Sequence, residues 1–319
     1  MLPEYRSTTY LDYSRPEHDA GMREALALVR SQAAASHPLV IGGKSIQTSA
    51  TFQSFNPSNP TESLGTFAKG GAEHVPMAVE AATKAFPAWA AIHPEERANV
   101  LLRVAGILRL RRHEMSATMV LEVGKSWGEA DGDTAEAIDF CEFYAREMIR
   151  YAERQPITPY PGENNALVYI PLGVGVVIPP WNFPCAITLG MTVATIVTGN
   201  TCILKPSSDA PLIAWKLFEI LEEAGVPPGV VNFLPGPGGT VGDALVEHPQ
   251  VRLVAFTGSM PVGIGINERA AKVQKGQIWL KRAILEMGGK DFTIVDEDAD
   301  LDAAVAGVYA AAFGLQRQN

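Results

Sequence analysis

Nucleophilic, acid–base and phosphate-binding chemistry draws on few residue types, so thiols, imidazoles, carboxylates, side-chain amides and glycine-rich turns come first. The 319-residue chain has three cysteines, Cys141, Cys185 and Cys202. They form an odd, sparse set without a Cys-x-x-Cys pair, which indicates neither a disulfide framework nor a zinc knuckle. Six histidines stand singly. None has the i, i+4 spacing that puts two imidazoles on one helical face, so no metal is expected. The glycine runs Gly236-Pro237-Gly238-Gly239 and Gly258–Gly263 fit neither common phosphate-binding fingerprint. The first lacks the glycine at its sixth position, and the second is followed by Ile264 where a P-loop carries lysine. Taken alone, Asn182 before Pro184 reads as a turn cap and Lys205 as a solvated charge.

These residues gain meaning from the elements that carry them. Residues 1–38 read as an N-terminal extension with a helix over 20–32, expected to lie on the globule. Leu39, Val40 and Ile41 before Gly42-Gly43 predict a short strand and tight turn, and Phe55-Asn56-Pro57-Ser58-Asn59-Pro60 is a cluster of turn-formers. Apolar residues at three-and-four spacing predict helices over 72–89, 94–112, 115–123 and 129–155, with Gly124 as the C-cap of the third. Residues 156–170 predict an extended hairpin arm. Apolar strands at 174–178, 201–204, 230–234, 253–256 and 292–295 then alternate with helices. The fold class expected is α/β, a doubly wound, mainly parallel Rossmann-like sheet running from about 39 to 286. In such sheets ligands sit beyond the carboxyl ends of the strands. Lys205, Gly238 and Ser259 should therefore converge at one edge.

Composition narrows the chemistry. An apolar share of 47% supplies a sizeable core, while a formal charge of -9 disfavours nucleic acid and anionic lipid as partners. No run approaches the roughly 20 apolar residues of a membrane span, and the first thirty residues are rich in charge. The expectation is a cytoplasmic protein acting on a small molecule, without a signal peptide.

Pro179-Pro180-Trp181-Asn182-Phe183-Pro184, Lys205-Pro206-Ser207-Ser208, Pro235-Gly236-Pro237-Gly238-Gly239 and Thr257-Gly258-Ser259, followed by Leu285-Glu286-Met287-Gly288-Gly289-Lys290, resemble the aldehyde dehydrogenase superfamily in order and spacing. Val120-Leu121-Glu122-Val123-Gly124-Lys125 extends the likeness. Gly276-Gln277-Ile278-Trp279-Leu280-Lys281-Arg282 and Tyr160-Pro161-Gly162-Glu163 are similar to the 1-pyrroline-5-carboxylate dehydrogenases of bacteria. The resemblance implies NAD(P)-dependent oxidation of L-glutamate 5-semialdehyde to L-glutamate in proline catabolism, through a cysteine thiolate. It implies Asn182 as the oxyanion donor and Glu286 as the general base. Lys205 matches the lysine on the adenosine ribose. Ile178, Trp181, Gly238, Gly258 and Ser259 match positions around the adenine, ribose and pyrophosphate. Ser208 stands where many NAD-specific relatives carry glutamate, so NADP is admitted beside NAD. None of the three cysteines matches the nucleophile, and Cys185 reads as packing.

Relatives continue from a segment like Ala311-Ala312-Phe313-Gly314 into Phe-Gln-Gly-Gln-Lys-Cys. The resemblance therefore places the nucleophile one residue beyond Asn319, with Arg317 replacing a glycine and Asn319 a lysine. The division it implies is an extension at 1–38, a cofactor domain at 39–155 and 171–288, an oligomerisation arm at 156–170, and the start of a truncated catalytic domain at 289–319. Full-length relatives are expected to be homo-oligomeric, and this fragment inactive alone and prone to self-association. A non-catalytic NAD-binding remnant and an oligomerisation partner of a full-length dehydrogenase remain as alternatives.

Overall fold

The computed structural model describes residues 2–315. Met22, Ala25 and Val29 recur at helical spacing and form the buried stripe of the first helix, Pro16–Ser31 (α1). The stripe packs on Leu64, Phe67, Ala117 and Leu121. Ahead of it, Thr8 donates from its N–H and hydroxyl to Asp139, at 2.9 and 2.7 Å, and the Leu11 N–H donates to Asp131 at 2.7 Å.

Ser36–His37 (β1), Leu39–Ile41 (β2) and Lys44–Ile46 (β3) follow. Gly42 and Gly43, at φ 61° and 75°, make the turn between β2 and β3, a conformation only glycine adopts cheaply. Thr51–Asn56 (β4) and Asn59–Ala68 (β5) pair antiparallel, so only Pro57 and Ser58 of the turn-forming cluster are turn and its outer residues are strand. Four helices come next: His74–Ala90 (α2), Pro94–Leu110 (α3), Arg112–Val123 (α4) and Trp127–Ala152 (α5). Gly124 ends α4 in the left-handed conformation at φ 70°.

Beyond α5 the chain alternates as Val174–Ile178 (β6), Ala186–Val197 (α6), Thr201–Leu204 (β7), Pro211–Glu223 (α7), Val231–Phe233 (β8), a π-turn at Gly238–Gly242, Asp243–Glu247 (α8), Val251–Gly258 (β9), Met260–Ala271 (α9), Arg282–Met287 (β10) and Leu301–Phe313 (α10). Strands β10-β9-β6-β7-β8 lie side by side and parallel, and the β2–β3 hairpin adds antiparallel beyond β8. Alternation along each strand feeds two cores. Val174, Val176, Ile203, Val254 and Phe256 point to the side covered by α2, α8 and α9. Val177, Cys202, Leu204, Phe233 and Ala255 point to α6 and α7, with α3, α4 and α5 stacked behind. The architecture is the α/β, doubly wound, mainly parallel one expected.

Three expectations are corrected. One sheet was expected from 39 to 286, but β4 and β5 leave it and form a three-stranded sheet with β1. Residues 292–295 are not a strand: β10 occupies the open side of β9, and an apolar run becomes a strand only where a neighbour offers backbone partners. The arm at 156–170 has its turn, with Glu163 N–H donating to the Tyr160 carbonyl at 3.1 Å, but its flanks do not pair. Pro156, Pro159 and Pro161 remove donors there, and a ribbon without an apolar face is marginal in water. Among the described residues no helix is long and apolar enough to cross a membrane, and no cluster of His, Cys, Asp or Glu could hold a metal ion.

Candidate functional site at the carboxyl edge of the sheet

Register brings the sequence-predicted residues to one edge. Ile178 lies opposite Phe256, Leu204 opposite Val177 and Glu286 opposite Thr257, so the segments after β6, β7, β8, β9 and β10 leave the sheet together. Lys205, Gly238 and Ser259 follow β7, β8 and β9 respectively, all parallel, at this edge. Lys205 is 5% exposed, and its Nζ donates to the Pro206 carbonyl at 3.1 Å. No carboxylate among the described residues pairs with it. Burial pulls its pKa from 10.5 down to about 8, because an ammonium is costly away from water. A Cβ placed on Gly242 would meet the Lys205 chain at 3.6 Å, so the lysine runs under the glycine turn.

The glycines divide by what they make room for. A Cβ on Gly258 would sit 2.6 Å from the Phe256 ring, and one on Gly263 would sit 2.5 Å from Met287 Sδ. Both serve the packing of α9 on β9 and β10. Gly238 and Gly239 face open space instead. In the π-turn they begin, Val241 and Gly242 N–H groups both donate to the Pro237 carbonyl, at 2.9 and 3.3 Å. Ser259 stands at the N-terminus of α9 without a side-chain cap bond. Ser208 is exposed, Ile178 half-buried and Trp181 46% exposed at the mouth of this edge.

Asn182 is half-buried on the turn between β6 and α6. Its Oδ1 accepts from the Phe183 N–H at 3.1 Å. An N–H can only donate, so the amide oxygen is the acceptor, and the NH2 group makes no hydrogen bond among the described residues. Glu286 lies on edge strand β10, exposed and without an ion pair among the described residues. In the sheet β9 separates β10, which carries Glu286, from β6, after which Asn182 follows on the turn to α6. Cys141, Cys185 and Cys202 are fully buried, and burial raises the pKa of each. The segment expected to lead into a nucleophile, Gln316 to Asn319, lies outside the described residues.

Three buried charges beneath the edge escaped sequence reading. Glu122 accepts from the N–H groups of Leu212 and Ile213, which open α7, at 2.7 and 2.9 Å, and from the Ser54 hydroxyl at 2.8 Å. Burial pushes its carboxyl up to about 7 against the pull of those donors. Lys125 and Asp133 form an ion pair at 2.7 Å with almost no side-chain exposure. The signal for Asp133 was present as an acid inside the apolar stripe Ala130, Thr134, Ala137 of α5.

The model of the aldehyde dehydrogenase family matches residues 45–319. Over its full length the chain is 51% identical to the 1-pyrroline-5-carboxylate dehydrogenase of Geobacillus sp. (strain WCH70), of which it covers 62%. It superposes with a TM-score of 0.96 on 1-pyrroline-5-carboxylate dehydrogenase from Thermus with bound NAD, at 49% identity, covering 100% of this chain and 62% of that one. The Mycobacterium tuberculosis Delta-pyrroline-5-carboxylate dehydrogenase bound with NAD gives a TM-score of 0.92 at 32% identity, covering 100% and 60%. The chain thus spans somewhat under two thirds of the length of the relatives it matches. With the post-strand segments gathered at one edge and the family model matched across most of its residues, the chain belongs to the aldehyde dehydrogenase family.

Proposed function

We propose that this chain supplies the cofactor-binding part and two of the working groups of an NAD(P)-dependent aldehyde dehydrogenase of the 1-pyrroline-5-carboxylate dehydrogenase type. The substrate would be L-glutamate 5-semialdehyde and the product L-glutamate, as in proline catabolism. The observation that carries this reading is the buried, uncompensated ammonium of Lys205 under an open glycine turn at the carboxyl edge of a parallel sheet. A buried cation without a carboxylate is costly, and an anionic or hydroxyl-rich ligand relieves that cost.

The residues present fit a dinucleotide. Lys205 would take the adenosine ribose, Gly238 and the N–H groups opening α9 behind Gly258 and Ser259 the pyrophosphate, and Ile178 and Trp181 the adenine side. When bound, the nicotinamide accepts the hydride that leaves the substrate. The NH2 of Asn182 would donate to the oxyanion formed at the aldehyde carbon, and Glu286 would take the proton of the hydrolytic water. The domain division into 39–155 with 171–288, the arm at 156–170 and the segment from 289 belongs to the same proposal.

The thiolate this chemistry needs has no candidate among Cys141, Cys185 and Cys202, all buried with raised pKa. We therefore expect cofactor binding without aldehyde oxidation from the 319-residue chain. Calorimetric titration of NAD into the chain and into Lys205→Met tests the reading. Weak binding that Lys205→Met diminishes supports it. Absence of binding, or binding indifferent to Lys205, overturns it.

A further inference from the structure

We propose that Asp133 and Lys125 are positioning residues, a buried clamp that fixes the direction of the Asn182 amide. The proposal rests on the role given to Asn182 above. Asp133 lies inside α5 and faces the start of α6. One carboxylate oxygen accepts from the Ala186 N–H, the first of α6, at 2.7 Å. The first-turn N–H groups of a helix have no partner within it, so the carboxylate satisfies one of them and meets the positive end of the α6 dipole. Its other oxygen accepts from Lys125 Nζ at 2.7 Å. That ammonium lies 4.0 Å from the centroid of the Phe183 ring. The Phe183 N–H is in turn the donor that captures Asn182 Oδ1.

A continuous line of contacts thus runs from α5 to Lys125, to the Phe183 ring, to the Phe183 N–H and so to the amide. The cation holds the ring from below and Asp133 holds both the cation and the helix start, so the Asn182 turn has little freedom to rotate. A buried ion pair adds little stability over apolar side chains of the same volume, whereas it does fix direction. Direction is what an oxyanion donor must have before the charge develops.

The Phe183 amide reports on the clamp because Asn182 Oδ1 is its acceptor. Its hydrogen exchange can be followed by mass spectrometry with residue-level fragmentation on the full chain. Asn182→Ala should accelerate it by roughly tenfold or more, and Lys125→Met should do the same, with the double variant no faster than either. Lys125→Arg should restore slow exchange, and exchange over the rest of α5 and α6 should not change. Lys125→Gln, which keeps a donor to Asp133 but puts no charge over the ring, carries the same test should the Met variant unfold. An unchanged Phe183 amide in the folded Lys125 variants would overturn the proposal. So would acceleration spread evenly over α5 and α6, which marks a purely structural pair. NAD titration of the same variants keeps the two readings apart: loss of cofactor binding in the parent chain sinks the proposed function, while the exchange result judges the clamp.

Discussion

A lysine buried without a carboxylate holds its proton weakly, and Lys205 turns this into a pH dependence. Its pKa is lowered from 10.5 to about 8, so the ammonium is fully present only below pH 8. The sign for folding follows: the folded chain carries the cost of the buried cation below pH 8, and the cost is relieved as pH rises from 8 toward 10.5. In the proposed role of Lys205 cofactor binding runs the other way, since an anionic or hydroxyl-rich ligand favours the charged form. NAD affinity should be highest below pH 8 and fall by up to about tenfold per unit above it. Titrations at pH 7 and pH 9 that gave equal affinity would separate Lys205 from the site. At Ser208 no acid is present to repel a 2′-phosphate, so NADP should bind comparably to NAD; a strong calorimetric preference for NAD would show that another residue sets the choice. With the semialdehyde and NAD supplied, the purified chain should produce no reduced cofactor, because Cys141, Cys185 and Cys202 are all buried with raised pKa and a covalent mechanism needs an accessible thiolate. Activity abolished by Cys185→Ala would contradict this.

At the scale of elements, the parts that hold the edge in place can be loosened one at a time. Glu122 joins β4 through Ser54 to the first turn of α7, and Glu122→Ala leaves three buried donors without an acceptor. The expected loss is roughly 3 to 5 kcal/mol, read from urea unfolding. Glu122→Gln keeps the oxygen that serves Ser54 and Leu212 and should cost less, about 1 to 2 kcal/mol, because one amide hydrogen then faces the Ile213 N–H. A loss for Ala no larger than for Gln would show that the carboxylate does not bridge these elements. Gly124 tests a different cause. A Cβ there would meet only Pro57 at 3.5 Å, an ordinary contact, so Gly124→Ala should cost about 1 kcal/mol from the φ of 70° alone.

For the whole molecule the unusual feature is where its apolar surface lies. Helix α10 has no buried residue, and Leu301, Val305, Tyr309 and Phe313 are exposed along it, as are Phe292 and Ile294 before it and Ile278 and Leu280 before β10. The outer side of β10 is unpaired among the described residues. Apolar surface of this extent drives association even at a net charge of -9. The purified chain should therefore scatter light as a species larger than 34.2 kDa, increasingly so with concentration. Val305→Glu together with Tyr309→Glu should shift it toward the monomer. A monodisperse parent chain would show that this surface is covered in some other way.

What the sequence determined on its own was local and periodic. Helical spacing gave α2 to α5 to within a few residues, glycines marked the β2–β3 turn and the end of α4, and strand-after-helix alternation gave the doubly wound sheet. Strand ends drew attention to the segments that hold Asn182, Lys205, Gly238 and Ser259, while roles for these residues and for Glu286 came from their resemblance to the aldehyde dehydrogenases. Pairing was left to the tertiary structure. A strand needs a neighbour, so the apolar run at 292–295 stayed coil while 282–287 filled the edge beside β9, and β4 and β5 left the main sheet to pair with β1. Contacts between residues far apart in the chain were equally invisible. That Gly258 is filled by the fold and Gly238 is open, that Lys205 lies buried without a carboxylate partner among the described residues, and that Asp133 reaches 53 positions along the chain to the Ala186 N–H, depend on which surfaces meet once the chain has packed.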